Sequence, residues 1–179
     1  MTQPHRGPPI PKAAIKPDPV MEPLLKEAFT DFKAEFSYAV DEVSVLVSRD
    51  LIVSACNLAK TDSRLQLNYL RCLAVTEYHD YFQVSYMLYS IPLKHKMIMK
   101  VNAPKSDPVV PSVTGVWTGA NWHEREGAEL FGVKFSDHPD PKFLLLFEEF
   151  EGKFPMRKDY PFEEISEWTP QTAVWQEQP

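Results

Sequence analysis

Between residues 24 and 91 the chain contains neither proline nor glycine, and its apolar residues follow two distinct rhythms. Leu24, Leu25, Ala28, Phe29, Phe32 and Phe36 recur at helical spacing, with Lys26, Glu27, Asp31 and Lys33 between them. This predicts an amphipathic helix over 22–37. Val43, Val45 and Val47 alternate with Ser44, Leu46 and Ser48, as in a strand. A second helix is predicted over 50–60, after which Leu65, Leu67 and Leu70 lead into the next strand. From there the pattern is β-rich: Leu73–Thr76, then Tyr81–Tyr89 after a polar turn at Tyr78-His79-Asp80, then Lys96–Val101. These read as three antiparallel strands with short connections, closed by Pro104, Pro108 and Pro111. The expected fold is α+β, a compact domain whose mainly antiparallel sheet is packed by helices, with extended N- and C-terminal arms.

Beyond the sheet, Asn121 stands where a helix N-cap would, and Glu124 three residues on is in the position of a capping-box partner. Trp122, Arg125, Glu126, Glu129, Leu130 and Phe131 follow over about three turns, and Gly132 is the natural stop. Arg125 and Glu129, four apart, are expected to pair along one face. Four segments result: an extended proline-rich arm over 1–23, an α/β domain over 24–113, a helix and docking segment over 114–164, and an extended tail over 165–179. Seven of the 17 prolines fall in the first arm, so regular helix is not expected there.

Composition narrows the chemistry. With 44% hydrophobic and 25% charged residues the chain has material for both core and surface, so global disorder is excluded. Residues 1–122 are nearly balanced in charge, whereas 123–164 carry 6 Lys/Arg against 11 Asp/Glu, so nucleic acid is a poor partner. No run approaches the roughly 18 apolar residues a spanning helix needs. Arg6, Lys12 and Lys16 have no apolar stretch behind them, so a secretory signal is not expected and a cytoplasmic or cytoplasm-facing location is. Cys56 and Cys72 form no Cys-x-x-Cys pair and are expected to be buried, reduced thiols. The six glycines make neither a G-x-G-x-x-G nor a Walker pattern, so a flavin or nucleotide site built on such a loop is not expected.

His123-Glu124 opens like a zinc-hydrolase motif, but residue 127 is glycine where the second histidine ligand would stand. His138, in the loop before Pro139-Asp140-Pro141, is expected to be a hydrogen-bonding loop residue rather than a ligand. An acid–base enzyme using Glu124, Glu126 or His138 remains as a reading of another class.

Three ordered motifs carry a resemblance. Glu124-Arg125-Glu126, Glu129, Leu130-Phe131, His138 and Lys142-Phe143-Leu144 are spaced as in the signature of the C-subunit of respiratory complex I, the 30 kDa subunit family of NADH-quinone oxidoreductases. Gly152-Lys153-Phe154-Pro155-Met156-Arg157-Lys158-Asp159-Tyr160-Pro161 resembles that family's closing element. Asp107–Ser112 with Trp117, Ala120 and Asn121 resembles the approach to its signature helix, and the likeness covers about residues 40–164.

The resemblance implies a scaffold subunit of the peripheral arm that binds no cofactor itself, while FMN and iron–sulfur clusters sit in other subunits. It implies docking on the D-subunit, a hydrogenase-large-subunit-like protein beside the quinone site, and contact with other peripheral-arm subunits. Membrane association would come through the complex alone, on the cytoplasmic face of the cell membrane or the matrix or stromal face in an organelle. The same fold could serve a ferredoxin-linked dehydrogenase or a membrane-bound hydrogenase. Glu124, Arg125, Glu126, Glu129, His138, Arg157, Lys158 and Asp159 become the expected interface or motif residues. Arg125 would offer a bidentate fork to a carboxylate, Glu124 and Glu126 would hold backbone amides or partner arginines, and Arg157-Lys158-Asp159 would pair across the contact or order the chain between Pro155 and Pro161. The tail, with Phe162, Ile165, Trp168 and Trp175, is expected to lie along a partner.

Overall fold

A computed structural model describes residues 19–39 and 42–161; most of the N-terminal arm and the tail lie outside the described residues. The first helix, α1, runs only over Met21–Ala28, followed by a 3-10 turn at Thr30–Phe32 and a strand, β1, at Glu35–Ala39. The predicted helix over 22–37 is therefore too long. The Thr30 hydroxyl donates back to the carbonyls of Lys26 and Glu27, and Lys33 adopts φ 48°, a left-handed conformation that ends the helical path. Phe32 and Phe36 fit a helical repeat, yet Phe36 and Tyr38 also alternate with Glu35 and Ser37, and that period of two is the one adopted.

Four further strands complete the main sheet: β2 at Glu42–Val47, β3 at Tyr69–Glu77, β4 at Tyr81–Tyr89 and β5 at Lys96–Pro104. Their order is β1-β2-β5-β4-β3. All neighbours are antiparallel except β2 and β5, which run parallel with Val45 opposite Met99. The α+β fold with a mainly antiparallel sheet is thus as expected from the sequence.

One face of this sheet is dry. Val43, Val45 and Val47, Phe82, Val84, Tyr86 and Leu88, and Met97, Met99 and Val101 join one core with Leu25 of α1 and Phe29 just after it. The second helix, α2 (Ile52–Thr61), adds Ile52, Ala55, Cys56 and Ala59 to the same core. Burial pushes the Cys56 thiol far up, which leaves it an inert core residue; Cys72, expected to be buried, is only half-buried. Trp117 is fixed by its indole N–H, which donates to the Leu67 carbonyl at 3.2 Å.

The third helix, α3, spans Ala120–Phe131. Short strands β6 (Val109–Pro111) and β7 (Lys134–Ser136) precede and follow it and pair in parallel, so the helix is the crossover of a small β-α-β unit. It lies close against β3: a Cβ on Gly127 would stand 2.7 Å from Val75 Cγ2. Among the described residues no helix is long and apolar enough to cross a membrane.

Candidate functional site

Ala120, Glu124 and Gly127 are one and two turns apart on α3 and all are buried, so the helix points a carboxylate into the protein. Asn121 does not cap the helix, which begins at Ala120 after Gly119 with no side-chain cap, and Glu124 makes no capping box. Glu124 instead turns inward. Its Oε1 accepts the Val113 N–H at 2.8 Å and its Oε2 accepts the Ser112 hydroxyl at 2.6 Å. Burial raises its pKa, and the Ser112 and Val113 hydrogen bonds oppose that rise.

His138 closes the cluster from the far side. Its Nδ1 accepts the Asp140 N–H at 3.0 Å, which leaves the other nitrogen as the protonated one in the neutral ring. Nε2–H then donates to the Asn121 carbonyl at 3.2 Å and lies 3.9 Å from Glu124 Oε2. With the side chains of Glu124 and His138 0% and 2% exposed, the three segments at 112–113, 124 and 138–140 are tied together away from water. The loop role expected of His138 is the one found.

Arg125 and Glu129 do not pair with one another; both reach the same stretch of chain. Arg125 Nε donates to the Lys142 carbonyl at 2.8 Å and Nη2 to the Phe143 carbonyl at 2.7 Å. The buried Glu129 carboxylate accepts the amides of Leu144 at 2.8 Å, Leu145 at 2.9 Å and Leu146 at 3.4 Å. A segment without regular structure thus has its polar backbone satisfied from one helix face. Arg125 also stacks over Trp122, its guanidinium carbon 5.6 Å from the ring centroid. Glu126 faces outward, 4.0 Å from His123 Nδ1.

Gly132 ends α3 in a left-handed conformation, φ 74°, and its N–H donates to Ala128. There the second motif crosses. The Met156 N–H donates to the Leu130 carbonyl at 3.2 Å and Arg157 Nε to the Phe131 carbonyl at 2.6 Å. The Arg157 guanidinium sits 4.2 Å from the Phe154 centroid and 5.1 Å from that of Phe82. Within the chain Arg157 is thus held by a backbone carbonyl and two aromatic rings. The Lys158 side chain points outward while its N–H donates to Glu77 Oε2 at 2.6 Å, and the Asp159 side chain is exposed.

Glu77, Lys105 and Ser112 were not among the expected residues. Glu77 holds the Lys105 ammonium with one oxygen and the Lys158 amide with the other, and the ammonium beside it keeps its pKa low. A signal was available in β3, where Leu73, Val75 and Glu77 occupy alternate inward positions, so an acid stands where the pattern calls for an apolar residue.

Several large apolar side chains of this region are exposed among charged ones such as Lys142, Glu148 and Glu149. Trp122 is 63% exposed, Leu145 60%, Phe147 75% and Met156 57%. Beneath the segment at 142–147, the strap, a cleft of about 130 Å³ is lined by Ala128, Phe135, Pro141, Phe143 and Phe154, among others. Among the described residues no three His, Cys, Asp or Glu side chains come together as metal ligands.

Residues 45–166 match the family described as respiratory-chain NADH dehydrogenase, 30 Kd subunit. The chain is 38% identical over 146 residues to the NADH-quinone oxidoreductase C-subunit of Geobacter sulfurreducens, covering 78% of this chain and 86% of that one. It is also 38% identical over 128 residues to the second C-subunit of the NADH-quinone oxidoreductase of Rhizobium etli, covering 70% of this chain and 66% of the relative's length. Among solved structures it is similar to the trypsin-resistant fragment (1-134) of Nqo5, with TM-score 0.58 and 26% identity over 67% of this chain and 98% of that fragment. The signature helix with its inward Glu124, the strap and the closing motif all lie within the matched span, and the chain belongs to the 30 Kd subunit family of respiratory-chain NADH dehydrogenase.

Proposed function

We propose that this chain is a non-catalytic scaffold subunit in the peripheral arm of a proton-translocating NADH-quinone oxidoreductase, docking on the hydrogenase-large-subunit-like D-subunit near the quinone site. FMN and iron–sulfur clusters belong to companion subunits in this reading, and the chain meets the membrane, at its cytoplasmic or matrix-side face, only through the complex. The observation that carries it is the strap. Leu145 and Phe147 are held outward by a backbone that Arg125 and Glu129 fix in place, so large apolar side chains are presented without the usual ordering cost on binding. Trp122 and Met156 are further exposed apolar side chains, and the side chains of Lys158 and Asp159 are exposed as well.

An acid–base role has one observation in its favour, the raised pKa of Glu124. Against it, Glu124 is wholly buried with both oxygens accepting hydrogen bonds, which suits a structural tie better than contact with a substrate.

The test replaces Leu145 and Phe147 together by glutamate in the cell that makes the complex. Co-purification with the D-subunit and NADH:quinone turnover of the membranes are expected to fall, with the melting of the isolated variant unchanged. Full co-purification of a folded variant would overturn the reading, and turnover of an acid–base substrate by the isolated chain would favour the other.

A further inference from the structure

The closing motif is held from two directions, and the second anchor lies outside every motif the sequence displays. Met156 and Arg157 bind the carbonyls at the end of α3. Lys158 is bound instead to the sheet, through Glu77, 81 residues away in sequence. The bond uses the Lys158 backbone N–H, so its ammonium is left outside, and the side chain of the neighbouring Asp159 is exposed as well.

We infer that Glu77 is the positioning residue for the Arg157-Lys158-Asp159 segment, with Lys105 as the counter-cation that keeps its buried carboxylate ionised. The Glu77 side chain is 3% exposed, so a carboxylate here needs both a cation and a hydrogen-bond donor. Lys105, in the turn after β5, supplies the first, and the motif itself supplies the second. Because each oxygen serves one donor, the ionised carboxylate holds the Lys105 ammonium and the Lys158 amide at the same time. With the Lys158 amide seated, its side chain and that of Asp159 are left exposed. The inference rests on the docking role proposed above for what a seated segment does, but not for the seating itself.

The experiment uses the full purified chain. Trypsin cleavage after Arg157 and after Lys158 is timed by mass spectrometry in the unaltered protein, in Glu77→Ala and in Glu77→Gln, with cleavage after the exposed turn residue Lys94 as internal reference. Loss of a charge-assisted hydrogen bond is expected to raise cleavage at Arg157 and Lys158 about tenfold in the alanine variant, and less in the glutamine variant, which keeps an acceptor for the amide. Cleavage after Lys94 is expected to stay unchanged. Unaltered rates at Arg157 and Lys158 would overturn the assignment, and so would an equal rise at Lys94, which marks general loosening. If the alanine variant does not fold, the glutamine variant carries the same comparison. In membranes, both variants are expected to incorporate less chain into the complex. Faster local cleavage with undiminished incorporation would refute docking through this segment, a result distinct from failure of the latch.

Discussion

Arg125 and Glu129, one turn apart on α3, divide a single strap between them: the arginine takes two of its carbonyls and the glutamate three of its amides. An i,i+4 ion pair on a surface contributes about 0.3–0.5 kcal/mol. Anchoring backbone that has no other partner is worth more, because each lost side chain leaves several polar groups to find water.

Glu129→Ala is accordingly expected to cost about 2–3 kcal/mol, and Arg125→Ala about 1–2 kcal/mol because the half-buried arginine leaves no stranded charge behind. Arg125→Lys should recover only part of this, since one ammonium cannot reproduce the two-pronged contact with Lys142 and Phe143. Denaturant melts give the magnitudes. Amide exchange at 144–146 supplies the local readout, and unchanged protection there in Glu129→Ala would count against the arrangement.

Glu124 and Glu77 should leave opposite marks on stability against pH. The folded pKa of Glu124 is raised by burial, so its contribution is complete below the unfolded value of about 4.3 and is lost as pH rises through the folded value. Glutamine at this position can still accept from Val113 and donate to Ser112. Glu124→Gln is therefore expected to be more stable than the parent at pH 7, with the difference vanishing below about pH 4. A variant less stable at pH 7 would show that ionised Glu124 is the better partner.

For Glu77 the sign reverses. Its folded pKa is lowered, first by Lys105 and then by the Lys158 amide, so its stabilisation is present above about pH 4.3 and is lost as pH falls through the depressed folded value. Glu77→Gln should be less stable than the parent at pH 7 and converge with it in acid. Parallel melting curves for the two proteins across the acid range would contradict the ion pair with Lys105.

Gly132 has two reasons to be glycine. Its φ is 74°, and a Cβ there would collide with Arg157 Nη2 and stand 2.8 Å from the Phe154 ring. Gly132→Ala should exceed the roughly 1 kcal/mol of a left-handed position alone, because the Arg157–Phe154 stack must move. Its melting temperature and the trypsin sensitivity after Arg157 should change together; a variant that loses stability while the cleavage rate holds would separate the helix stop from the seating of the motif.

Strands β4 and β5 are legible in the sequence because burial there alternates with a clean period of two, whereas β3 is interrupted by a register shift between Leu70 and Cys72. Strand β1 is not legible, since Phe32 and Phe36 satisfy a helical repeat as well as Phe36 and Tyr38 satisfy a strand. The charges of the signature could be found but their partners could not. Glu124 looks like a capping residue until Val113 and Ser112 are seen beside it, and nothing in the spacing shows that Leu145 and Phe147 face outward. Which backbone groups a side chain will satisfy depends on where distant segments lie, and local spacing carries no record of that. The proline-rich arm, apart from its last residues, and the tail beyond Pro161 fall outside the described residues.

The parallel seam between β2 and β5 sets an order on biosynthesis. Val43, Val45 and Val47 have β1 on one side from the start but gain their second sheet neighbour only after Met97, Met99 and Val101 have been made, with α2 and the β3–β4 hairpin lying between them in the chain. Until the ribosome has delivered that later strand, the early valines have one flank unzipped and sticky, a state that invites chaperones and aggregation. The signature helix emerges later still, after every strand of the main sheet has been made.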